Sequence, residues 1–135
     1  MNDNGNIDIV RQIYRDFLTG DINAVLDALA EDVDWSGRVN WPGGPCVLPY
    51  EGKRRGRNAV AECFESLLNT VQYEGAAAAT RYITTGNHVL AIGQDIRRIR
   101  ATGELTENRW TMCWTLDGGK VIRIRIYQDT VEALD

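Results

Sequence analysis

The chain has 135 residues, of which 44% are hydrophobic and 25% charged, and its net charge is −4. This length fits one domain, residues 1–135, that buries about two-thirds of its unfolded surface. The acidic balance argues against general nucleic-acid binding, which usually needs a basic domain. No apolar run approaches a membrane span, and the N-terminus MNDNGNIDIV lacks the layout of a signal peptide. We therefore expect a cytoplasmic protein without membrane contact.

The histidine and cysteine content restricts the chemistry further. His88 is the only histidine, which argues against a zinc site built on several histidines and against a Ser-His-Asp triad. Cys46, Cys63 and Cys113 lie far apart without a CxxC pair, so they are interpreted as free thiols in a reducing compartment. The sequence predicts neither a metal site nor another cofactor.

The first half of the chain is predicted to be mainly helical. Apolar residues recur at helical spacing over 9–18 and predict a first helix that stops at Gly20. Asp21 is a suitable N-cap for a short second helix, and a short strand is expected at 33–36. Residues 37–57, with three prolines and five glycines, predict a long loop, which inside a compact domain is more often functional than idle. A third helix is predicted over 57–71.

The rest of the chain is predicted to be a meander of strands near 74–84, 88–100, 107–116 and 120–129, separated by turns that contain glycine. Trp110, Met112 and Trp114 share one side of their strand, and polar residues occupy the other. This period of two indicates a sheet with one face buried against helices. Helices followed by an antiparallel sheet make an α+β fold.

Four stretches in the same order resemble the SnoaL-like branch of the NTF2-like (nuclear transport factor 2) fold. They are IVRQIYRDFLTGDINAVLDALAEDVDW (9–35), LPYEGKRRGRNAVAECFESL (48–67), ATGELTENRWTMCWTLDGGKV (101–121) and RIRIYQDT (123–130). The resemblance implies a cone in which three N-terminal helices pack on a strongly curved antiparallel sheet that encloses an apolar pocket. The family includes ketosteroid isomerases, limonene-epoxide hydrolases, polyketide cyclases, dehydratases and non-catalytic binding or dimerisation modules. The fold alone therefore does not decide the function.

The residues that ketosteroid isomerases require are missing. Where that family has its catalytic base, this chain has Gly37 and Arg38, and Met112 stands at the place of the acid donor. The tyrosine of the first helix falls at Ile13, one residue before Tyr14. Because this reaction needs a base and an oxyanion donor held together, the resemblance argues against it.

The epoxide-hydrolase pattern is matched only in part. Asp95 falls on the first aspartate of an Arg–Asp–Asp set and would point into the pocket. Gly93 stands at the arginine position and Ile126 at the second aspartate. Arg97 shares a side of the strand with Asp95 and would replace the arginine. Asp129 is a further candidate carboxylate, on a face that the pattern leaves open.

Polyketide cyclases of this family need only an apolar cavity and one acid/base carboxylate, a role open to Asp95 or Asp129. A carboxylate kept from water can act as a general acid or base, whereas a buried salt bridge with Arg97 would make the pair structural. We predict a small apolar-ligand-binding protein and keep three alternatives open. The first alternative is a cofactor-free enzyme of the cyclase, isomerase or hydratase type. The second is a non-catalytic ligand-binding or dimerisation module. The third is an epoxide-hydrolase-like enzyme with an incomplete Arg–Asp–Asp set.

The expected ligand is small and hydrophobic or polycyclic, because pockets of this kind are mostly apolar and aromatic. The predicted ligand-binding residues are Tyr14, Trp35, Trp41, Tyr50, Phe64, Asn108, Trp110, Met112, Trp114, Ile124 and Ile126. Arg98, Arg109, Arg123 and Arg125 are predicted to form an outer stripe or a dimer face, pairing with Glu104, Glu107 and Asp129. We expect a homodimer through the sheet.

Overall fold

The computed structural model describes residues 3–40, 52–74 and 79–134, and within these ranges the chain forms three helices and seven strands. The helices are α1 (Asp3–Leu18), α2 (Ile22–Asp27) and α3 (Arg57–Thr70). The strands are β1 (Leu29–Asn40), β2 (Gly52–Arg55), β3 (Val71–Glu74), β4 (Ala79–Thr85), β5 (His88–Ile99), β6 (Leu105–Asp117) and β7 (Lys120–Leu134). The predicted layout of helices packed on a curved sheet is confirmed.

The main differences from the predicted elements lie in the strands that precede β5. β1 has 12 residues rather than the four expected, and β2 lies inside the segment predicted as a loop, where it pairs antiparallel with β1. The strand predicted at 74–84 is two strands, β3 and β4, and both pair with β5. These strands form through hydrogen bonds to partners far away in sequence, which a local pattern does not contain.

The sheet has the strand order β2-β1-β7-β6-β5-β3, and β4 also pairs with β5. β5, β6 and β7 form the predicted antiparallel meander. β1, however, runs parallel to β7, so the sheet is mixed rather than antiparallel throughout. A parallel pair needs a long crossover connection, and here α3 and the five strands β2 to β6 separate β1 from β7 along the chain.

The helices pack on one face of this sheet. An N-cap, a hydrogen bond to β1 and the apolar core stabilise this arrangement. The Asp21 side chain accepts a hydrogen bond from the backbone nitrogen of Ala24 at 3.1 Å, which caps α2 as predicted. At the start of α3, Arg57 Nε donates to the carbonyl oxygen of Leu29 at 2.8 Å and joins this helix to β1. Buried side chains from all three helices and from the inner face of the sheet form one core.

Cross-strand pairing sorts the inner face of the sheet into rows, because residues directly opposite each other share a face. The tryptophan row consists of Trp35, Ile124, Trp114 and Val89. The methionine row, two residues further along each strand, consists of Gly37, Ile126, Met112 and Ala91. Beyond it lie Trp110 opposite Gly93, and then Asn108 opposite Asp95.

Candidate functional site

Asp95 lies on the inner face of β5, and its side chain is only 3% exposed. Arg97 donates two hydrogen bonds to the carboxylate, Nε to Oδ1 at 2.8 Å and Nη2 to Oδ2 at 3.1 Å. Asn108 Nδ2 donates to Oδ1 at 3.2 Å, and Trp110 Nε1 donates to Oδ2 at 3.0 Å. A carboxylate has about four acceptor positions, so these four bonds use them all.

Strand register explains why these four side chains meet. Asp95 and Arg97 are two residues apart on β5 and therefore share its inner face. Asn108 lies directly opposite Asp95. Trp110 lies opposite Gly93, which presents no side chain, so the indole reaches the carboxylate diagonally. The sequence indicated an Asp–Arg pair, but its two further donors come from the neighbouring strand.

The resulting cluster is a buried ion pair with its hydrogen bonds satisfied. Asp95 and Arg97 have side chains 3% and 7% exposed, and Asn108 is fully buried. The carboxylate accepts hydrogen bonds from its own neighbours, so a ligand proton would reach it only by displacing a donor. The 3.2 Å bond from Asn108 is the longest of the four. A catalytic role for Asp95 and Arg97 stays a prediction.

Tyr14 enters the same interior from α1. Its hydroxyl accepts a hydrogen bond from Trp114 Nε1 at 3.2 Å and donates to Met112 Sδ at 3.0 Å. Its ring stacks on Trp110 with ring centroids 5.6 Å apart. Burial raises the pKa of Tyr14, although the hydrogen bond from Trp114 acts in the opposite direction. The hydroxyl is therefore protonated, and the acceptor of its own proton is a thioether, which is a weak acceptor.

Two side chains of the methionine row are less completely buried than those of the tryptophan row. Met112 and Ile126 lie on the inner side of their strands but are half-buried, whereas Trp114 and Ile124 in the preceding row are buried. Solvent therefore contacts part of the Met112 and Ile126 side chains, whereas Ala91 of the same row is buried. Asp95 lies four residues further along β5 than the row's Ala91, about 13 Å away at a strand rise of about 3.3 Å per residue.

Trp35 and Phe64, two further predicted ligand contacts, are packed in the core. Trp35 is 3% exposed and Phe64 is 6% exposed. Their rings meet edge to face with centroids 5.3 Å apart, and Phe64 also packs on Phe17 at 5.6 Å. Their ligand contacts stay predictions.

Three predicted site residues cannot be placed in this interior. Trp41 and Tyr50 lie outside the described residues. The backbone of Asp129 pairs with that of Arg109 in β6 and with that of Asn40 in β1. The role predicted for Asp129 stays a prediction.

A groove of about 330 Å³ lies on the outer face of the sheet, on the side opposite the helices. Gln94, Arg109, Thr111 and Tyr127 are among the residues that line it. Sequence reasoning missed this groove. The available signal was Tyr127, an aromatic residue at an outward position of an alternating strand, which is 56% exposed.

The outer arginines of β7 pair with Asp34 of β1, a partner that was not predicted from the sequence. Arg125 Nη2 donates to Asp34 Oδ2 at 3.1 Å, and Arg123 Nε lies 3.8 Å from the same oxygen. The hydrogen bond from Arg125, followed by the charges of Arg125, Arg123 and Arg55, lowers the pKa of Asp34 despite partial desolvation. The sequence did not indicate Asp34 as their partner, because the parallel pairing of β1 with β7 was not visible in it. The predicted pairing with Glu104, Glu107 and Asp129 across a dimer face stays a prediction.

We expect Asp34→Asn to make folding stability less sensitive to acid. The folded-state pKa of Asp34 lies below the ordinary aspartate value of 3.8. The carboxylate's contribution is therefore complete above the unfolded pKa and is lost as pH falls through the folded pKa. The side chain is 27% exposed, so solvent screening limits this contribution to about 0.2–1 kcal/mol.

Urea unfolding at about pH 6 and about pH 3 measures this effect. The wild type should lose more stability between the two conditions than Asp34→Asn does. Asp117→Asn, at an exposed position in the β6–β7 turn, is the matched control and should behave like the wild type. Equal acid losses in the wild type and Asp34→Asn would contradict the assignment.

Two kinds of feature are missing from the part of the chain that the structure describes. No group of three or more His, Cys, Asp or Glu side chains in these ranges lies close enough together to hold a metal ion. No helix within them is long and apolar enough to cross a membrane.

Solved structures share this architecture. An NTF2-like protein from Burkholderia xenovorans LB400 is 26% identical, with 96% of this chain and 92% of that chain covered and a TM-score of 0.80. A protein from Xanthomonas campestris pv. campestris named a "putative polyketide cyclase" is 20% identical, with 94% and 92% covered and a TM-score of 0.71. TerC, co-crystallised with polyporic acid, is 21% identical, with 90% and 89% covered and a TM-score of 0.73. The comparison with curated proteins gave no match.

The comparison with protein families gives a match that spans most of the chain. The model of the SnoaL-like domain covers residues 10–124, from α1 to the inward-facing Ile124 of β7. The matched segment includes the second half of α1, all of α2 and α3, and the described strands up to the middle of β7. The chain therefore belongs to the SnoaL-like domain family and has the NTF2-like fold.

Proposed function

We propose that the chain binds a small apolar or polycyclic ligand on the inner face of its sheet, at the methionine row. The observation that carries this proposal is the half-buried state of Met112 and Ile126, two inward apolar side chains that the helices leave partly uncovered. Tyr14 and Trp110 add an aromatic wall next to this surface. Small-molecule sites are typically apolar and aromatic, with few polar groups.

Binding of a polycyclic probe tests this proposal. Polyporic acid suits this purpose because TerC, a protein of similar fold, was co-crystallised with it, and 9-fluorenone is a smaller second probe. We expect saturable quenching of tryptophan fluorescence in the wild type. Ile126→Asp should weaken binding at least about tenfold, because it places a charge on the apolar surface.

Ile83→Asp is the matched control for that variant. Ile83 lies on β4 and is 39% exposed, so the same substitution there adds a charge to a surface already in contact with water. Its affinity for both probes should equal that of the wild type. If neither probe binds to the wild type, or if Ile126→Asp and Ile83→Asp behave alike, the proposed ligand surface is wrong.

The second candidate function is cofactor-free acid/base catalysis by Asp95. Cyclisation, isomerisation and dehydration each need a proton removed and returned, which one positioned carboxylate can do. The cluster around Asp95 supports this candidate because Arg97 and Trp110 hold the carboxylate inside the fold. In this proposal a substrate group takes the place of Asn108. The epoxide-hydrolase-like alternative has the Asp–Arg pair but an apolar side chain, Ile126, where the second aspartate is needed.

Proton abstraction can be measured without knowing the natural substrate. In D₂O, the wild type should speed deuterium incorporation at the carbon next to the carbonyl of 2-tetralone, followed by NMR. Asp95→Asn keeps the shape of the side chain but removes its basicity, so its rate should fall to that of the buffer. Asn108→Ala, in which the longest hydrogen bond is absent, should keep the activity. An unchanged rate in a folded Asp95→Asn protein would eliminate Asp95 as the base.

The proposal for assembly is a homodimer through the outer face of the sheet. Ile96 and Tyr127 are 38% and 56% exposed on this side, next to the groove of about 330 Å³. A two-fold dimer would use the same patch on both copies and cover about 800 Å² per partner. Sedimentation equilibrium should give twice the chain mass of 15.1 kDa, and Tyr127→Lys should give the single-chain mass. A wild-type mass of one chain would refute the dimer.

A further inference from the structure

Trp35 carries the one buried side-chain nitrogen or oxygen, among the described residues, that has no hydrogen-bond partner. This atom is the indole nitrogen Nε1, and the residue is 3% exposed. The other two described tryptophans differ. Trp110 Nε1 donates to Asp95 and Trp114 Nε1 donates to Tyr14. The chain therefore satisfies two of its inner indoles from its own side chains and leaves the third without a partner.

The chemistry of the indole limits what its partner can be. An indole N–H donates one hydrogen bond and accepts none. The great majority of buried polar atoms in proteins are paired, and one left unpaired costs free energy because it has lost water without gaining an acceptor. The missing partner of Trp35 is therefore an acceptor atom. A carbonyl oxygen suits this donor better than a hydroxyl does, because it accepts a hydrogen bond without adding another donor that would need a partner.

The position of Trp35 connects this donor with the proposed ligand surface. Trp35 pairs with Ile124 in the tryptophan row, and the next inward residue on β1 is Gly37, in the methionine row. Glycine has no side chain, so β1 puts no side chain between the indole and that row, about 6.6 Å further along the strand. Phe64 packs edge to face against the indole and holds its ring in place.

We propose that Trp35 Nε1–H donates a hydrogen bond to a carbonyl oxygen of the ligand, so that the ligands of this site are apolar molecules bearing a ketone or quinone oxygen. This inference rests on the proposed function, in which the ligand occupies the methionine row. In the structure Nε1 is closed to solvent, so the acceptor reaches it when neighbouring side chains shift. Met112, in the methionine row, has the unbranched and flexible side chain suited to such a shift.

A cycle of two ligands and two proteins tests this hydrogen bond. 9-Fluorenone and fluorene have the same ring system, and only fluorenone has a carbonyl. Trp35→Phe removes the N–H and part of the ring, so lost packing weakens both ligands alike. We expect the variant to lose about five- to tenfold more affinity for fluorenone than for fluorene, which is the range of one neutral hydrogen bond. Isothermal titration calorimetry measures all four affinities.

A second readout works on the wild type alone. The chain has four tryptophans, which give four indole N–H cross-peaks in a ¹H–¹⁵N spectrum. The Trp35 cross-peak, identified by its absence in Trp35→Phe, should move downfield with fluorenone and stay in place with fluorene. If Trp35→Phe does not fold, Phe variants of the other three tryptophans identify the peak by elimination.

The outcomes separate this inference from the proposed function. Equal affinity losses for the two ligands, or a Trp35 cross-peak that fluorenone leaves unmoved, would overturn the carbonyl contact while ligand binding stands. A wild type that binds neither ligand would refute the proposed function and the inference with it. A fluorenone-specific loss together with the downfield shift supports both.

Discussion

Asp95→Ala is expected to lower the free energy of unfolding by about 3–5 kcal/mol, which urea denaturation can measure. The substitution leaves the guanidinium of Arg97, 7% exposed, buried without its carboxylate. It also removes the acceptor of Trp110 Nε1 and one of the acceptors of Asn108 Nδ2, which additionally donates to Thr106. An unpaired buried charge costs far more than the net value of the pair it came from, because desolvation is no longer offset.

Two comparisons show whether the lost charge pairing is the cause. Asp95→Leu combined with Arg97→Met removes both charges and should be more stable than Asp95→Ala, because neither charge is left buried. Glu74→Ala breaks an exposed ion pair, in which the Glu74 side chain is 35% exposed and that of Arg98 is 42% exposed. This substitution should lower the free energy of unfolding by less than about 1 kcal/mol. A loss below about 1 kcal/mol in Asp95→Ala would contradict the buried-pair assignment.

Trp114→Ala should cost about 3–5 kcal/mol of unfolding free energy, the usual range for removing a large buried aromatic side chain. Trp114 is 2% exposed and lies in the middle of the tryptophan row. Its ring packs edge-on against Tyr14 with centroids 5.7 Å apart. The substitution opens a cavity between α1 and the sheet that the surrounding strands can fill only in part.

Trp114→Phe separates packing from hydrogen bonding at this position. It keeps an aromatic ring in the row but loses the Nε1 bond to the Tyr14 hydroxyl. We expect a smaller loss, about 1–2 kcal/mol. Ile122→Ala, at a position 37% exposed on β7, is the surface control and should change stability by less than about 1 kcal/mol. If Trp114→Phe and Trp114→Ala cost the same, the hydrogen bond rather than ring volume dominates.

Local patterns were sufficient for much of the fold. The alternation around Trp110, Met112 and Trp114 predicted which face of β6 is inward, because a strand changes face at every residue. The helical spacing over 9–18 predicted α1, and Asp21 predicted the cap of α2. The prediction that the sheet is curved around the helices came from the resemblance to the SnoaL-like family, since helices and a meander alone fit several α+β folds.

The candidate site was predicted less completely, because it depends on which strands are neighbours. Asp95 and Arg97 are close in sequence, and their pairing was among the alternatives. The donors Asn108 and Trp110 reach Asp95 only because of the β5–β6 register. Likewise, Arg123 and Arg125 pair with Asp34 because β1 lies beside β7.

The sequence by itself determined the helices, the inward face of β6 and the apolar, aromatic character of the interior, because these follow from periodicities of a few residues. Only the tertiary structure decided that the Asp95 carboxylate has its acceptor positions occupied, that Met112 and Ile126 are partly exposed, and that the Trp35 indole lacks an acceptor. Each of these depends on atoms brought together from distant parts of the chain. Hydrogen-bond saturation and solvent access are properties of that packing, and no local pattern encodes them.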